Sequence, residues 1–322
     1  MGDQTAGNSR TAECADEVLP TPTRKDVSAM LIPVRQMREE MRRRTHRWAV
    51  VLDDCGNPSS AESENPARTR PKADAFSSLQ ERLDPSVHRT QTLLLLCPEH
   101  AWLGRDQARR YSDGHILTLP SHCGTVPAML WALLHVRNMD PEAVISFFPL
   151  NSDCGTDANF TTAIDNAFSV AQSNFSQDSV IVLGSSSIPR DSDCGWIEPK
   201  PSLLGCSGGV VRQVLRFWDD PSRQVAETLL RRGCLVNTSV LIGRCESFLA
   251  LVRAADPEFV GAFEATFSKG ALAQGSAKLE NYSSEVPLKR LLTVNVQRLL
   301  VLPLREAVKK DTSQPVMHHT VS

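Results

Sequence analysis

Apolar residues in this chain come in short unbroken runs, separated by stretches in which they recur every three or four positions. The first run, Trp48-Ala49-Val50-Val51-Leu52, stops at the breaker cluster Asp53-Asp54-Cys55-Gly56-Asn57-Pro58, which predicts a buried strand and its loop. From residue 73 the two periods alternate. Helices are expected over Ala75 to Arg82, Trp102 to Arg110, Pro127 to Val136 and Asp157 to Gln172. Strands are expected over Thr92 to Cys97, His115 to Leu119, Ala143 to Phe148 and Ser179 to Gly184. After a Pro, Ser and Gly-rich section from Pro189 to Gly209, the pattern predicts strands over Val210 to Phe217 and Leu235 to Ile242, helices over Pro221 to Arg232, Glu246 to Ala254 and Pro257 to Phe267, and a late strand near Arg298 to Leu302. Strands without polar alternation, separated by amphipathic helices, imply an α/β fold with a doubly wound, mostly parallel sheet. In such sheets ligands bind beyond the carboxyl ends of the strands, so the loops after Leu52, Leu119, Phe148 and Gly184 should border one cleft.

Composition narrows the partners. The chain has 322 residues, 41% hydrophobic and 22% charged, enough to bury a sizeable core without disulfides or metals. A formal net charge of -2 gives no global field to recruit nucleic acid or an anionic membrane, so neither is expected as a partner. The basic run Arg42-Arg43-Arg44 reads as a solvated helix face. Residues 1–44 are expected to be disordered or a short basic helix, 45–304 one domain with a substrate-binding half, and 305–322 a polar tail. Nine cysteines, odd in number and without a Cys-x-x-Cys pair, predict a reducing cytoplasmic setting, with neither a disulfide frame nor a zinc site. Neither a secretory leader nor a spanning helix is expected.

Several short segments carry the candidate chemistry. They are Arg70-Pro71-Lys72, Gly124-Thr125-Val126-Pro127-Ala128, Pro149-Leu150-Asn151-Ser152, Gly195-Trp196-Ile197-Glu198, Phe217-Trp218-Asp219-Asp220-Pro221, Gly233-Cys234-Leu235-Val236-Asn237-Thr238 and Tyr282-Ser283-Ser284-Glu285-Val286. Gly124 and Thr125 also fit plain helix capping, with Thr125 as the cap and Pro127 in the first turn. In their order and spacing, from Arg47 to Leu304, the segments resemble the sugar-1-phosphate nucleotidyltransferases of the mannose-1-phosphate guanylyltransferase (GDP-mannose pyrophosphorylase) type.

The resemblance implies GTP and a sugar 1-phosphate as partners and Mg²⁺ as cofactor, with in-line attack on the α-phosphorus and release of pyrophosphate. It implies Lys72 as the phosphate-contacting catalytic cation, Gly124 and Thr125 at the base, and Gly195, Glu198, Asn237 and Glu285 around the sugar. The departures concern charge. Asp53 and Asp54 stand in the loop where glycines would cradle a triphosphate, and either a metal or solvation could account for them. Asn151 stands where the metal aspartate belongs, leaving Asp153 as the candidate metal ligand. Asp220 replaces the lysine that holds the sugar phosphate, and no second metal aspartate follows Leu304. The expected function is therefore a relative of these enzymes with activity weak or lost. The alternatives are a non-catalytic binding or regulatory partner of an active paralogue, as a homo- or hetero-oligomer, and a scaffold.

Overall fold

The computed structural model describes residues 37, 39–53, 75–103, 114–119, 123–150, 158–186, 195–202, 204–206, 209–219, 221–268 and 287–304. The chain divides into two units, Met1–Arg42 and Arg43–Ser322. In the first, residues 39–42 are helical. The elements below belong to the second.

Strand β1 (Arg47–Leu52) lies between β2 (Thr92–Leu96) and β4 (Val144–Pro149), parallel to both, and β3 (His115–Thr118) continues the parallel set beyond β2. On the far side of β4 the direction changes. Strand β9 (Leu235–Arg244) runs antiparallel between β4 and β5 (Val180–Ser185), and β10 (Leu299–Leu304) lies parallel to β5. Strand β8 (Gly209–Trp218) pairs antiparallel with β10, with β6 (Trp196–Pro199) and with β7 (Leu204–Cys206). The sheet is therefore mixed, which corrects the mostly parallel arrangement expected from the sequence. The reason is burial: the second half of β9 is covered on both faces like the parallel strands, so it too lacks polar alternation, and hydropathy alone does not encode direction.

Alternate residues of β1 enter different cores. Trp48, Val50 and Leu52 pack with helices α2 (Thr125–Met139), α5 (Cys245–Ala255), α6 (Pro257–Ser268) and α7 (Leu288–Val294). Ala49 and Val51 pack on the opposite face with α1 (Ala75–Leu83) and α3 (Ala158–Ala171). Helix α2 is buried nearly all round, from Val126 to Val136, because its sequence is apolar on every face. Each fully buried Leu, Val or Phe contributes about 1.5–3 kcal/mol relative to exposure.

One feature was not expected from the sequence. Strand β6 also pairs with the start of β9, Trp196 opposite Val236 and Ile197 opposite Leu235, so β9, β6, β8, β10 and β5 close into a ring. Gly184 of β5 sits where a Cβ would lie 2.7 Å from Leu235 Cβ and 3.2 Å from Val301 Cγ2, so the packing between β5, β9 and β10 requires glycine there. A third, smaller core of Trp196, Ala226, Leu229, Cys234 and Val236 forms beneath α4 (Arg223–Arg231).

Strands and helices otherwise fall near their expected places, with β6, β7 and α7 added. Of the helix expected over Trp102 to Arg110, residues 102–103 are helical and the remainder lies outside the described residues. No helix among the described residues is long and apolar enough to cross a membrane.

Candidate functional site

The carboxyl ends of the parallel strands are where chemistry is expected. Strand β1 is extended by one residue beyond Leu52, the Asp53 N–H donating to the Leu95 carbonyl at 2.9 Å. Alongside, the Leu150 N–H donates to the Leu52 carbonyl at 2.7 Å. The chain leaving β2 passes through Cys97 into a single 3₁₀ turn, Pro98–His100, with proline in its first position. That turn folds His100 back, its N–H donating to the Cys97 carbonyl at 3.1 Å.

Asp53, Cys97 and His100 meet as a result. Asp53 Oδ2 accepts from the Cys97 thiol at 2.8 Å and from the Cys97 main-chain N–H at 3.1 Å, and lies 2.7 Å from His100 Nδ1. Cys97 Sγ is 3.1 Å from the same Nδ1. The Asp53 side chain is 0% exposed and that of His100 15%. Among the described residues this is the one group of such side chains whose donor atoms converge closely enough to hold a metal ion. Asp53 is thus not a solvated loop carboxylate; Asp54 lies outside the described residues. The sequence reading passed over Cys97 and His100, although their Cys-x-x-His spacing was a usable signal.

At the start of α2, Gly124 takes φ 81°, ψ 170°, a conformation essentially confined to glycine. Gly124 itself occupies the cap position and Thr125 is the first helical residue, which corrects the capping role expected of Thr125. Cys123, immediately before Gly124, is buried, and burial pushes its thiol up to about 11. It is a protonated core residue at neutral pH.

Gly195 and Asn237 are brought together, the Asn237 N–H donating to the Gly195 carbonyl at 2.9 Å. The Asn237 side chain is turned onto its own chain, Oδ1 accepting from the Ser239 N–H at 3.0 Å. Ser239 has φ 60°, rare for a residue with a side chain, and sits in a bulge where β9 slips register against β5. Thr238 Oγ1 holds the bulge, donating to the Leu183 carbonyl at 2.8 Å and accepting from the Val240 N–H at 3.3 Å.

Glu198 lies on the ring's β6. Its Oε2 accepts from Arg216 Nε at 2.6 Å and Trp218 Nε1 at 2.9 Å, and its Oε1 from Arg232 Nη2 at 2.7 Å. The Arg216 guanidinium also stacks 4.1 Å from the centre of the Trp218 ring. Burial pushes the Glu198 carboxyl up, but the bonds from Arg216 and Trp218 and the charges of Arg216 and Arg232 outweigh it and hold the group below its usual range. Beside it, burial and the Glu198 charge together raise the Cys234 thiol. The sequence did not reveal Arg216 and Arg232 as partners. They come from β8 and the end of α4: the β6–β8 pairing sets Arg216 opposite Glu198, and the β6–β9 pairing brings the end of α4 alongside.

Lys72, Asp153 and Glu285, with Asn151 and Asp220, lie outside the described residues. Asp219, adjacent to the lost lysine position, pairs with Lys289 of α7 at 3.1 Å.

No protein-family model matches the sequence, and no curated protein matches it. Solved structures do. A mannose-1-phosphate geranyltransferase from Thermus thermophilus superposes with a TM-score of 0.63 at 20% identity, over 81% of this chain and 74% of the other. A mannose-6-phosphate isomerase from Helicobacter pylori superposes with a TM-score of 0.58 at 16% identity, over 81% of this chain and 97% of the other. At these identities the likeness establishes the fold. The chain shares the α/β fold of these two structures, as the order of its motifs led one to expect.

Proposed function

We propose that this chain binds a sugar phosphate or nucleotide as a relative of mannose-1-phosphate guanylyltransferase, and that its own transfer of a guanylyl group from GTP is weak or lost. The observation that carries this reading is the state of Asp53. An enzyme of this type needs backbone N–H groups directly after its first strand to receive a triphosphate. Here the first side chain after that strand is a carboxylate, fully enclosed and engaged by Cys97 and His100. Like charges 4 Å apart repel by about 1 kcal/mol in water and about 4 kcal/mol near a protein surface, so this end of the sheet opposes a triphosphate.

The Glu198 cluster supports retained binding. Two guanidiniums surround one carboxylate, so +2 − 1 leaves one positive charge, carried by side chains of which 53% is exposed in each case. That suits a phosphate-bearing ligand better than an uncharged sugar. Magnesium takes near-octahedral oxygen ligands, and the sulfur, nitrogen and oxygen donors gathered at the end of β1 do not fit it. Asp153, the residue that the resemblance leaves for magnesium, lies outside the described residues.

The test is purified full-length protein given GTP, mannose 1-phosphate and Mg²⁺, with pyrophosphate release followed alongside thermal shift. Ligand at 100 times its dissociation constant should stabilise by about 2.7 kcal/mol. The expected result is a shift with no turnover in the ordinary enzymatic range of roughly 1 to 10³ per second. Turnover in that range removes the loss of activity, and no shift with any nucleotide or sugar phosphate removes the binding role in favour of a scaffold.

A further inference from the structure

We propose that Asp53, Cys97 and His100 form a three-ligand site for a zinc-type divalent cation, using Asp53 Oδ2, Cys97 Sγ and His100 Nδ1. The site needs neither nucleotide nor sugar, and a bound ion cancels the Asp53 charge that in the metal-free chain opposes a triphosphate. In a Cys-His-Asp relay the thiol and the carboxylate address opposite nitrogens of the imidazole. Here both address the same one: Asp53 Oδ2 lies 2.7 Å and Cys97 Sγ 3.1 Å from His100 Nδ1, and they are 2.8 Å from each other. The three donor atoms lie close enough together to serve one ion.

The size is close to what the ion needs. Tetrahedral zinc with Zn–S of about 2.3 Å and Zn–N and Zn–O of about 2.0–2.1 Å separates its ligand atoms by roughly 3.3–3.6 Å. The three observed separations are shorter by roughly 0.4–0.8 Å, as close contacts among the same atoms bring them, so metal entry demands a modest spreading.

Charge favours occupancy. Asp53 is buried at the carboxyl end of a central strand, where a carboxylate needs close donors or a balancing charge. When the Cys97 thiol gives its proton to water, one thiolate, one carboxylate and a neutral imidazole balance a divalent ion, and the buried site becomes neutral. Donor type selects the metal: thiolate and imidazole favour zinc, whereas magnesium and calcium prefer oxygen. The scaffold is already set. Asp53 is fixed by the Leu95 carbonyl and the Cys97 N–H, Cys97 and His100 by the Pro98–His100 turn. With three protein ligands, water completes the tetrahedron.

The experiment uses metal-free full-length protein, titrated with zinc by calorimetry and with cobalt by absorption spectroscopy. One zinc should bind per chain with release of about one proton, read from titrations in buffers of different ionisation enthalpy. The cobalt form should show a thiolate-to-metal charge-transfer band that Cys97→Ser abolishes and the control Cys245→Ser keeps. His100→Gln should weaken zinc binding at least tenfold, since loss of even an outer-shell partner costs about 10–100-fold. Should Cys97→Ser not fold, X-ray absorption on the zinc-loaded wild type decides, with one sulfur and the remaining first-shell atoms nitrogen or oxygen expected. Sub-stoichiometric binding, a zinc shell without sulfur, or an unchanged cobalt band in Cys97→Ser overturns the proposal.

Discussion

Glu198 shows how a residue that the resemblance assigns to ligand recognition can also carry structure. Its two oxygens receive three donors from β8 and the end of α4, so it ties those elements to β6. Glu198→Gln removes the charge while keeping the shape, and hydrogen bonds to charged groups contribute about 1.5–3 kcal/mol. A loss of that size in urea unfolding at neutral pH is expected; a change below about 0.5 kcal/mol, typical of a surface substitution, would mean that the cluster is not a tie. The pH dependence follows from the direction of the shift. Glu198 titrates lower in the folded protein than in the unfolded chain, so its contribution is complete above the unfolded value near 4.5 and is lost as pH falls through the lower folded value. Wild type should therefore lose more stability than Glu198→Gln between pH 5 and pH 3. Parallel decline of the two proteins, in paired unfolding curves across that window, contradicts the assignment.

At the scale of the element, two glycines predict opposite outcomes for the same substitution. Gly184 lies in β5 with Leu235 Cβ 2.7 Å from the position of an added methyl, and that neighbour is the base of a side chain, which cannot swing away. Gly184→Ala should destabilise by about 1–3 kcal/mol, the usual cost of overpacking. Gly261 lies inside α6, is exposed, and has nothing within 4 Å of an added Cβ. Gly261→Ala should stabilise by about 0.5–1 kcal/mol through helix propensity. Thermal unfolding of both variants checks the pair, and equal effects would show that the local packing around β5 has been misread. These elements also mark what the sequence discloses. The parallel set β3, β2, β1, β4 and its helices were legible because each buried run is bounded by breakers and followed by a 3.6-residue period. Strands β6 and β7 were not, because four and three residues in a Pro and Gly-rich section leave no room for a period to develop. The direction of β9 was equally hidden, as both faces of its second half are covered. At the candidate site, Gly124 was legible through its place before a helix, whereas the bulge at Ser239 depends on pairing between β9 and β5 and has no local signature.

For the whole molecule, the consequential feature is closure of the ring by β6 against β9. In an open sheet, a short strand such as β6 at the end of the order would be an edge with unpaired N–H and C=O groups. Here β6 is paired on both sides, to β8 and to β9, while β3 at the opposite end has β2 alone among the described residues and side chains from partly to well exposed. Native-state hydrogen exchange separates these situations, because amides freed only by global unfolding report the full stability and edge amides open locally. The slowest exchange is expected at Val50, Val51, Ile145, Val182, Leu241 and Ile242, each almost fully buried in a strand with two neighbours. Residues of β3 should exchange fastest among the strands. The discriminating amides are those of Trp196 and Ile197, both buried although their strand has four residues. Protection of these two at the level of β5 follows from a closed ring and a single cooperative unit spanning it, whereas protection no better than β3 means that β6 detaches from β9 in solution. In that event Glu198 would also separate from the chain segment that carries Asn237, because β6 bears both the carboxylate and the pairing to β9.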